Sequence, residues 1–136
     1  MSNGQAAEKF EKMVYALGGP SDILSSHEKH LKINAIKKDI FSAKSGWVER
    51  IKTRNLGLIL IELGGGRKQV TDKINFNVGY NNVLRVGDKV DSSQPLLTMY
   101  SKSEDDYDNV RKKIEDCFII TDSEVSELPH TYEIVN

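Results

Sequence analysis

An α+β fold is predicted for this chain by three patterns: helical apolar spacing near both ends, alternating apolar residues between them, and glycine-rich turns. The length of 136 residues suits one domain. Hydrophobic residues make up 38% of the chain and charged residues 29%, as in ordinary globular proteins. We therefore expect a single domain over 1–136, with a helical lead-in over 1–32, an α+β core over 33–120 and an irregular tail over 121–136.

Charge and cysteine content argue against several classes of protein. The 19 basic and 20 acidic residues are interspersed and give a net charge of -1, whereas nucleic-acid binders show a basic excess or stripe. The single cysteine, Cys117, cannot form an intrachain disulfide. No apolar run approaches the ~20 residues of a membrane span, and the N-terminus lacks the features of a signal peptide. The expected protein is cytoplasmic, with no nucleic-acid or membrane partner.

Helical periodicity is clearest at the two ends of the chain. Apolar residues recur at i, i+3, i+4 and i+7 over 6–17, and Gly18-Gly19-Pro20 should end that helix, with a short second helix from Pro20 through Leu24. Near the other end, Ser103 is a predicted N-cap followed by three acidic residues. The buried stripe predicted for that last helix consists of Tyr107, Val110, Ile114 and Cys117.

The segment from Thr53 to Leu63 allows two interpretations. Its β-propensity favours a strand, whereas the spacing of its apolar residues, a predicted N-cap at Thr53 and the glycines that follow favour a buried helix. We expect the helix.

Alternating or clustered apolar residues predict short strands joined by tight turns, as in a small barrel or sandwich. The predicted extended segments are 33–42, 47–51, 74–78, 83–86, a strand around Val90, 96–99 and a final short strand at 132–135.

No set of side chains indicates a catalytic or metal centre. His27 and His30 lie three residues apart on a polar stretch, but no cysteine or acidic residue stands at a metal-ligand spacing, so solvated surface is favoured over a metal site. His130 is also in a polar stretch, where little would perturb its pKa or fix its orientation. Cys117 falls on the apolar stripe of a helix and is interpreted as a core residue rather than a nucleophile. We predict no catalytic residue, metal or cofactor.

The candidate functional residues are those of the loop Gly64-Gly65-Gly66-Arg67. Glycine loops bind phosphate from the N-terminus of a helix, but these glycines follow a predicted helix and lack the Lys-Ser/Thr pair of a P-loop. A tight turn is the favoured interpretation. The alternative is a loop that docks against another domain or lies near a ligand, with Arg67 available to a carboxylate or phosphate.

The stretch from Val86 to Leu97 resembles the turn-and-strand pattern of biotinyl and lipoyl carrier domains. Such carriers modify a lysine at a hairpin tip, typically beside methionine. The only lysine next to a methionine here is Lys12, inside the first predicted helix. A carrier or stand-alone binding module therefore remains an alternative that lacks its key residue.

Three ordered blocks resemble the thymidine and pyrimidine-nucleoside phosphorylases, in the order and spacing of that family over about residues 4–102. The blocks are GQAAEKF, MV and GGP within 4–20, SGWV, TRNLGL and ELGGGR within 45–67, and DKI, VG, GDKV and QPL within 72–96. Leu17, Lys52, Ser93 and Tyr100 stand where the family commonly has glutamine, aspartate, glycine and histidine.

The resemblance implies a fold and a function. Members of this family are pentosyltransferases that use phosphate, as a substrate, to cleave a pyrimidine nucleoside to base and pentose 1-phosphate. Their phosphate site and base-holding residues lie in an earlier part of the chain, so no catalytic residue is carried over and this chain alone is expected to be inactive. Their C-terminal region is a hammerhead-like barrel-sandwich hybrid of short antiparallel strands flanked by helices.

The resemblance also implies partners. The C-terminal region of the family packs on the phosphate-binding part and moves with it as the cleft closes. The enzymes are homodimers that associate mainly through an N-terminal helical domain, which leaves a monomer as the expected state of this chain.

Overall fold

The computed structural model describes residues 4–127, which separate into two compact units. The first unit ends at Ile33 and the second begins at Asn34. The described part of the first unit contains α1 (Gln5–Ala16) and α2 (Ile23–His30). The described part of the second contains β1 (Ile36–Ile40), β2 (Gly46–Ile51), α3 (Thr53–Glu62), β3 (Gly79–Asn81), β4 (Lys89–Val90), β5 (Leu97–Ser101), α4 (Glu104–Glu115) and β6 (Phe118–Thr121). Within residues 4–127 every helix falls short of the length and hydropathy that a membrane span requires.

The first helix ends where the sequence predicts. Gly18 adopts a φ of 86°, its N–H donates to the Tyr15 carbonyl at 3.0 Å, and the Gly19 N–H donates to the Val14 carbonyl at 2.9 Å. These two hydrogen bonds form a Schellman motif, which satisfies carbonyls of the last turn. Glycine at position 18 is favoured because side chains disfavour the left-handed conformation.

The second helix differs from the prediction of a helix from Pro20 through Leu24. It begins at Ile23, since its first hydrogen bond runs from the Ser26 N–H to the Asp22 carbonyl at 2.9 Å, and it continues to His30. Ser26 lies outside helical geometry, with φ -132° and ψ 25°, and kinks the helix. Both His27 and His30 therefore lie on α2 rather than beyond it.

The α+β class is confirmed by the second unit. Its described strands form two three-stranded sheets, ordered β1-β5-β3 and β4-β2-β6, in which all pairs are antiparallel. Ile36 lies opposite Ser101 in the first sheet, and Trp47 lies opposite Thr121 in the second. The predicted short antiparallel strands are confirmed, and the barrel-sandwich arrangement stays a prediction.

The last helix follows its sequence prediction closely. The Ser103 Oγ accepts a hydrogen bond from the Asp106 N–H at 3.1 Å, as an N-cap should. Val110, Ile114 and Cys117 are buried, and the Tyr107 ring packs beside them. This stripe belongs to the single hydrophobic cluster of the described second unit, whose other buried members are Ile40, Val48, Leu56, Ile59, Leu84, Val90, Leu96, Leu97, Met99 and Phe118.

The predicted helix after residue 52 is confirmed, but two of its details are wrong. Its N-cap is Lys52 rather than Thr53, and no side chain caps it. The Lys52 N–H instead donates to the Cys117 carbonyl at 2.8 Å, which ties the start of the helix to the residue before β6. Leu56 and Ile59 are buried, but Leu58 is 54% exposed, so only one face of the helix is buried.

The predicted strand at 74–78 is wrong. The Asn77 N–H donates to the Asn75 Oδ1 at 3.0 Å, and Phe76 is 88% exposed. Hydrogen bonds from asparagine side chains to nearby backbone groups compete with the hydrogen bonds between strands. Here the local hydrogen bond forms and the strand does not. The ladder begins only at Gly79, where β3 pairs with β5.

One further strand prediction is wrong, one strand was missed, and one prediction lies outside the described residues. Residues 83–86 form no strand, although Leu84 is buried and its N–H donates to the Leu96 carbonyl at 2.9 Å. The strand Phe118–Thr121 was not predicted, because it follows α4 almost directly and continues the apolar pattern of the helix. The segment 132–135 lies outside residues 4–127.

Candidate functional site

The Gly64–Arg67 loop begins as the C-terminal cap of α3. Gly64 has a φ of 93°, its N–H donates to the Ile61 carbonyl at 3.0 Å, and the Gly65 N–H donates to the Leu60 carbonyl at 2.9 Å. This is the same Schellman arrangement that ends α1. Because the first two amides are engaged with the helix they follow, they cannot form an anion cradle.

Gly65 and Gly66 are required by close packing rather than by backbone conformation. A Cβ on Gly65 would lie 2.8 Å from the Leu60 Cγ and 3.0 Å from the Val78 Cγ2, and one on Gly66 would lie 2.7 Å from the Ile61 Cγ1. These distances are shorter than ordinary van der Waals contacts between carbon atoms. The three glycines therefore hold the loop tightly against the end of α3 and the chain that leads into β3.

Arg67 is the charged side chain of this loop. It is exposed and forms no ion pair with a carboxylate of residues 4–127. Guanidinium groups bind carboxylate and phosphate with two parallel hydrogen bonds. The loop thus combines a backbone that is hydrogen-bonded to the end of α3 with an exposed cation.

The segment after Arg67 is fixed by local hydrogen bonds and exposes apolar side chains. The Asp72 Oδ2 accepts hydrogen bonds from the N–H groups of Lys68 and Gln69 at 3.0 and 2.9 Å. Within this fixed segment Val70 is 92% exposed, and Phe76 beyond it is exposed almost as fully. Val70 and Phe76 are therefore candidate contact residues for a partner.

In the first unit, the apolar face of α1 is also exposed. The described helix has no buried residue, and Phe10, Met13 and Leu17 are all exposed, Leu17 by 81%. The sequence predicts an amphipathic helix, and such a helix needs a partner for its apolar face. We call the side chains of Phe10, Met13 and Leu17 the α1 face.

The two described histidines do not form a metal centre. The His30 Nε2 lies 2.7 Å from the Asp22 Oδ1, and the His27 Nδ1 lies 3.4 Å from the Leu24 carbonyl. Hydrogen bonds from Ser26 and then His30 hold the pKa of Asp22 below its ordinary value. No group of three or more metal-ligating side chains occurs within the described residues, and His130 lies outside them.

Cys117 has the environment of a core residue. It is buried, and its thiol donates to the Lys113 carbonyl at 3.2 Å. Burial raises the pKa of this thiol above its ordinary value, which disfavours the nucleophilic thiolate.

One cavity of the second unit was not predicted. It is lined by residues from four separate segments, which include Lys44, Lys52 and Lys112. These lysines are too far apart in sequence for any local motif to indicate that they meet.

Comparison with known proteins gives two findings. Residues 47–121 match the family described as the pyrimidine nucleoside phosphorylase C-terminal domain. The chain is also 39% identical over 123 residues to a thymidine phosphorylase of Agrobacterium fabrum. That alignment covers 90% of this chain but only 28% of the Agrobacterium protein.

Proposed function

This chain belongs to the pyrimidine nucleoside phosphorylase C-terminal domain family, and from that premise we propose that it serves as the C-terminal domain of an enzyme that cleaves pyrimidine nucleosides with phosphate. The products are the free base and a pentose 1-phosphate. The observation that carries this proposal is the 39% identity to a thymidine phosphorylase along nearly the whole chain. The matching segment is a minor part of that relative, so the remaining part supplies the groups that hold phosphate and nucleoside.

The Gly64–Arg67 loop and the α1 face are the proposed contacts with the catalytic body. Each is an exposed feature that a partner can cover. One unit carries an exposed guanidinium beside an apolar loop, and the other carries an exposed apolar helix face. Arg67 would pair with a carboxylate of the body or with bound phosphate. Closing the body onto this domain would exclude water and bring phosphate and nucleoside into attack geometry.

The remaining partner assignments follow from the same proposal. Phosphate is a substrate, and no cofactor, nucleic acid or membrane takes part. The whole enzyme acts in the cytoplasm as a homodimer whose contacts lie in its N-terminal helical domain, and this chain alone is a monomer. An intracellular location accords with an unpaired, buried Cys117.

The carrier alternative is disfavoured by the position of Lys12. It lies within α1, where its Nζ forms an ion pair with the Glu8 Oε1 at 2.6 Å, rather than at a hairpin tip. Intact-mass measurement after expression with biotin or lipoate distinguishes the two functions, because a carrier would gain the mass of its prosthetic group.

A chimera tests the proposed function directly. This chain replaces the matching C-terminal segment of the Agrobacterium thymidine phosphorylase, and thymine release from thymidine and phosphate is followed by chromatography, with uridine in parallel. We expect turnover by the chimera and none by the 136-residue chain alone. A folded chimera without activity would count against the assignment. Turnover by the isolated chain would refute the claim that it lacks catalytic groups, but it would not contradict the family assignment.

Arg67→Ala in the chimera tests the role of the loop. Loss of a charge-assisted hydrogen bond should lower kcat/KM by about ten-fold or more. Arg50→Ala is the matched control, because Arg50 is an exposed arginine on β2 outside the loop. Equal effects of the two substitutions would show that the loop position of Arg67 is irrelevant.

A further inference from the structure

A cavity of about 530 Å³ lies within the second unit, where four segments meet. It is lined by the turn after β1, by Lys52 before α3, by the last turn of α4 with Asp116, and by β6. Small-molecule sites occupy roughly 300–1,000 Å³, so the space accommodates a small ligand. The cavity involves neither the Gly64–Arg67 loop nor the α1 face.

The acidic groups of this cavity are already engaged. The Glu115 Oε1 accepts from the Ala43 N–H at 3.0 Å, and its Oε2 accepts from the Lys112 Nζ at 3.2 Å. The Asp116 Oδ1 lies 3.0 Å from the same Lys112 nitrogen. The hydrogen bonds that the Lys112 ammonium donates, first to Asp116 and then to Glu115, raise the pKa of Lys112 and keep it charged. Both carboxylates and Lys112 thus form a closed cluster that leaves little attraction for an added cation.

The other two lysines keep hydrogen-bond donors for a ligand. The Lys52 Nζ donates to the Asp116 carbonyl at 3.1 Å, which uses one of the three N–H donors of its ammonium group. The Lys44 ammonium makes no ion pair or hydrogen bond with residues 4–127. The three lysines and two carboxylates of the lining leave one excess positive charge, which suits an anion.

The rest of the wall is largely apolar. Ala43, Phe118, Ile119 and Ile120 contribute to the lining. A ligand with an anionic head and a short apolar body fits such a wall better than a bare inorganic ion. We propose that this cavity binds a small organic anion whose carboxylate or phosphate head contacts Lys44 and Lys52 and whose body packs beside Ile119 and Ile120.

The test is a titration of the complete chain followed by backbone amide NMR. The probes are butyrate for the carboxylate head and glycerol 1-phosphate for the phosphate head, with glycerol as the neutral control. At low salt we expect saturable shifts confined to amides of 42–44, 52 and 115–120, with a Kd on the order of millimolar. The probe that binds more tightly identifies the head group. No saturation with either anion, or equal shifts with glycerol, would overturn the proposal.

Substitutions locate the binding site. Lys44→Gln and Lys52→Gln should each weaken binding about two- to five-fold, as expected for exposed charge pairs, and the double variant should weaken it further. Lys102→Gln removes the same charge from an exposed residue that does not line the cavity, and it should leave the Kd unchanged. Unfolding midpoints of each variant verify the fold. Equal weakening by all three single substitutions would indicate general charge attraction and refute the assigned site.

Discussion

Gly64→Ala tests the structural account of the glycine loop. Gly64 is held at a φ of 93° by the Schellman hydrogen bonds that end α3, and the nearest atom to an added Cβ is the Asn75 Cβ at 3.7 Å. The added methyl group therefore causes no steric overlap, and the substitution measures only the cost of placing a residue other than glycine at a positive φ. Gly57→Ala is the matched control, because Gly57 lies inside the same helix with no atom within 4 Å of an added Cβ.

The two substitutions should change stability in opposite directions. The left-handed conformation costs an L-residue about 1–2 kcal/mol. Alanine also lowers the conformational entropy of the unfolded chain, which stabilises the folded state by about 0.4–1 kcal/mol and offsets part of this cost. Gly64→Ala should therefore lower the free energy of unfolding by about 1 kcal/mol. Gly57→Ala should raise it by about 0.5–1 kcal/mol, since alanine is the better helix former.

Urea unfolding monitored by tryptophan fluorescence measures both values. The sole tryptophan, Trp47, lies on β2 of the second unit and reports on the unit that contains both glycines. A loss of 1 kcal/mol corresponds to roughly 4–8 °C in the Tm of a domain of this size. If Gly64→Ala proves as stable as the parent chain, or if Gly57→Ala destabilises it, the conformational argument for the loop is refuted.

Two further predictions concern polar side chains. Ser103→Ala should destabilise the second unit by about 1 kcal/mol, because the Asp106 N–H loses its cap, whereas Ser123→Ala, at an exposed position, should have little effect in the same urea assay. Hydrogen bonds from Ser93 hold the pKa of Asp91 below its ordinary value of 3.8. The charged carboxylate therefore stabilises the fold above pH 3.8, and this stabilisation is lost as the pH falls through the lower pKa of the folded state. Carboxyl NMR titration should show this low pKa. Ser93→Ala removes the hydroxyl and should raise the pKa toward 3.8, and an unchanged value would exclude the Ser93 hydroxyl as a cause.

The sequence predicted only those features of the candidate site that depend on residues close together along the chain. The position of the glycine loop after a helix follows from the apolar spacing before it and the three consecutive glycines, and the structure adds which glycine adopts the left-handed conformation. The exposure of Val70 depends on which parts of the fold pack near it, and no spacing rule predicts that. The lysine-lined cavity brings residues 44, 52 and 112 together, and only the fold of the second unit decides that meeting.

By itself the sequence determined α1 with its glycine stop, the Ser103 cap and buried stripe of α4, and the family. All of these rest on residues close together along the chain or on ordered motifs. A local hydrogen bond between Asn75 and Asn77 replaced the predicted 74–78 strand. Tertiary structure decided that Phe118–Thr121 pairs with β2 and that only one face of α3 is buried. The physical reason is that a strand is stabilised by partners distant in sequence. Apolar alternation therefore shows only that a segment can form a strand, and pairing with a neighbouring strand determines whether it does.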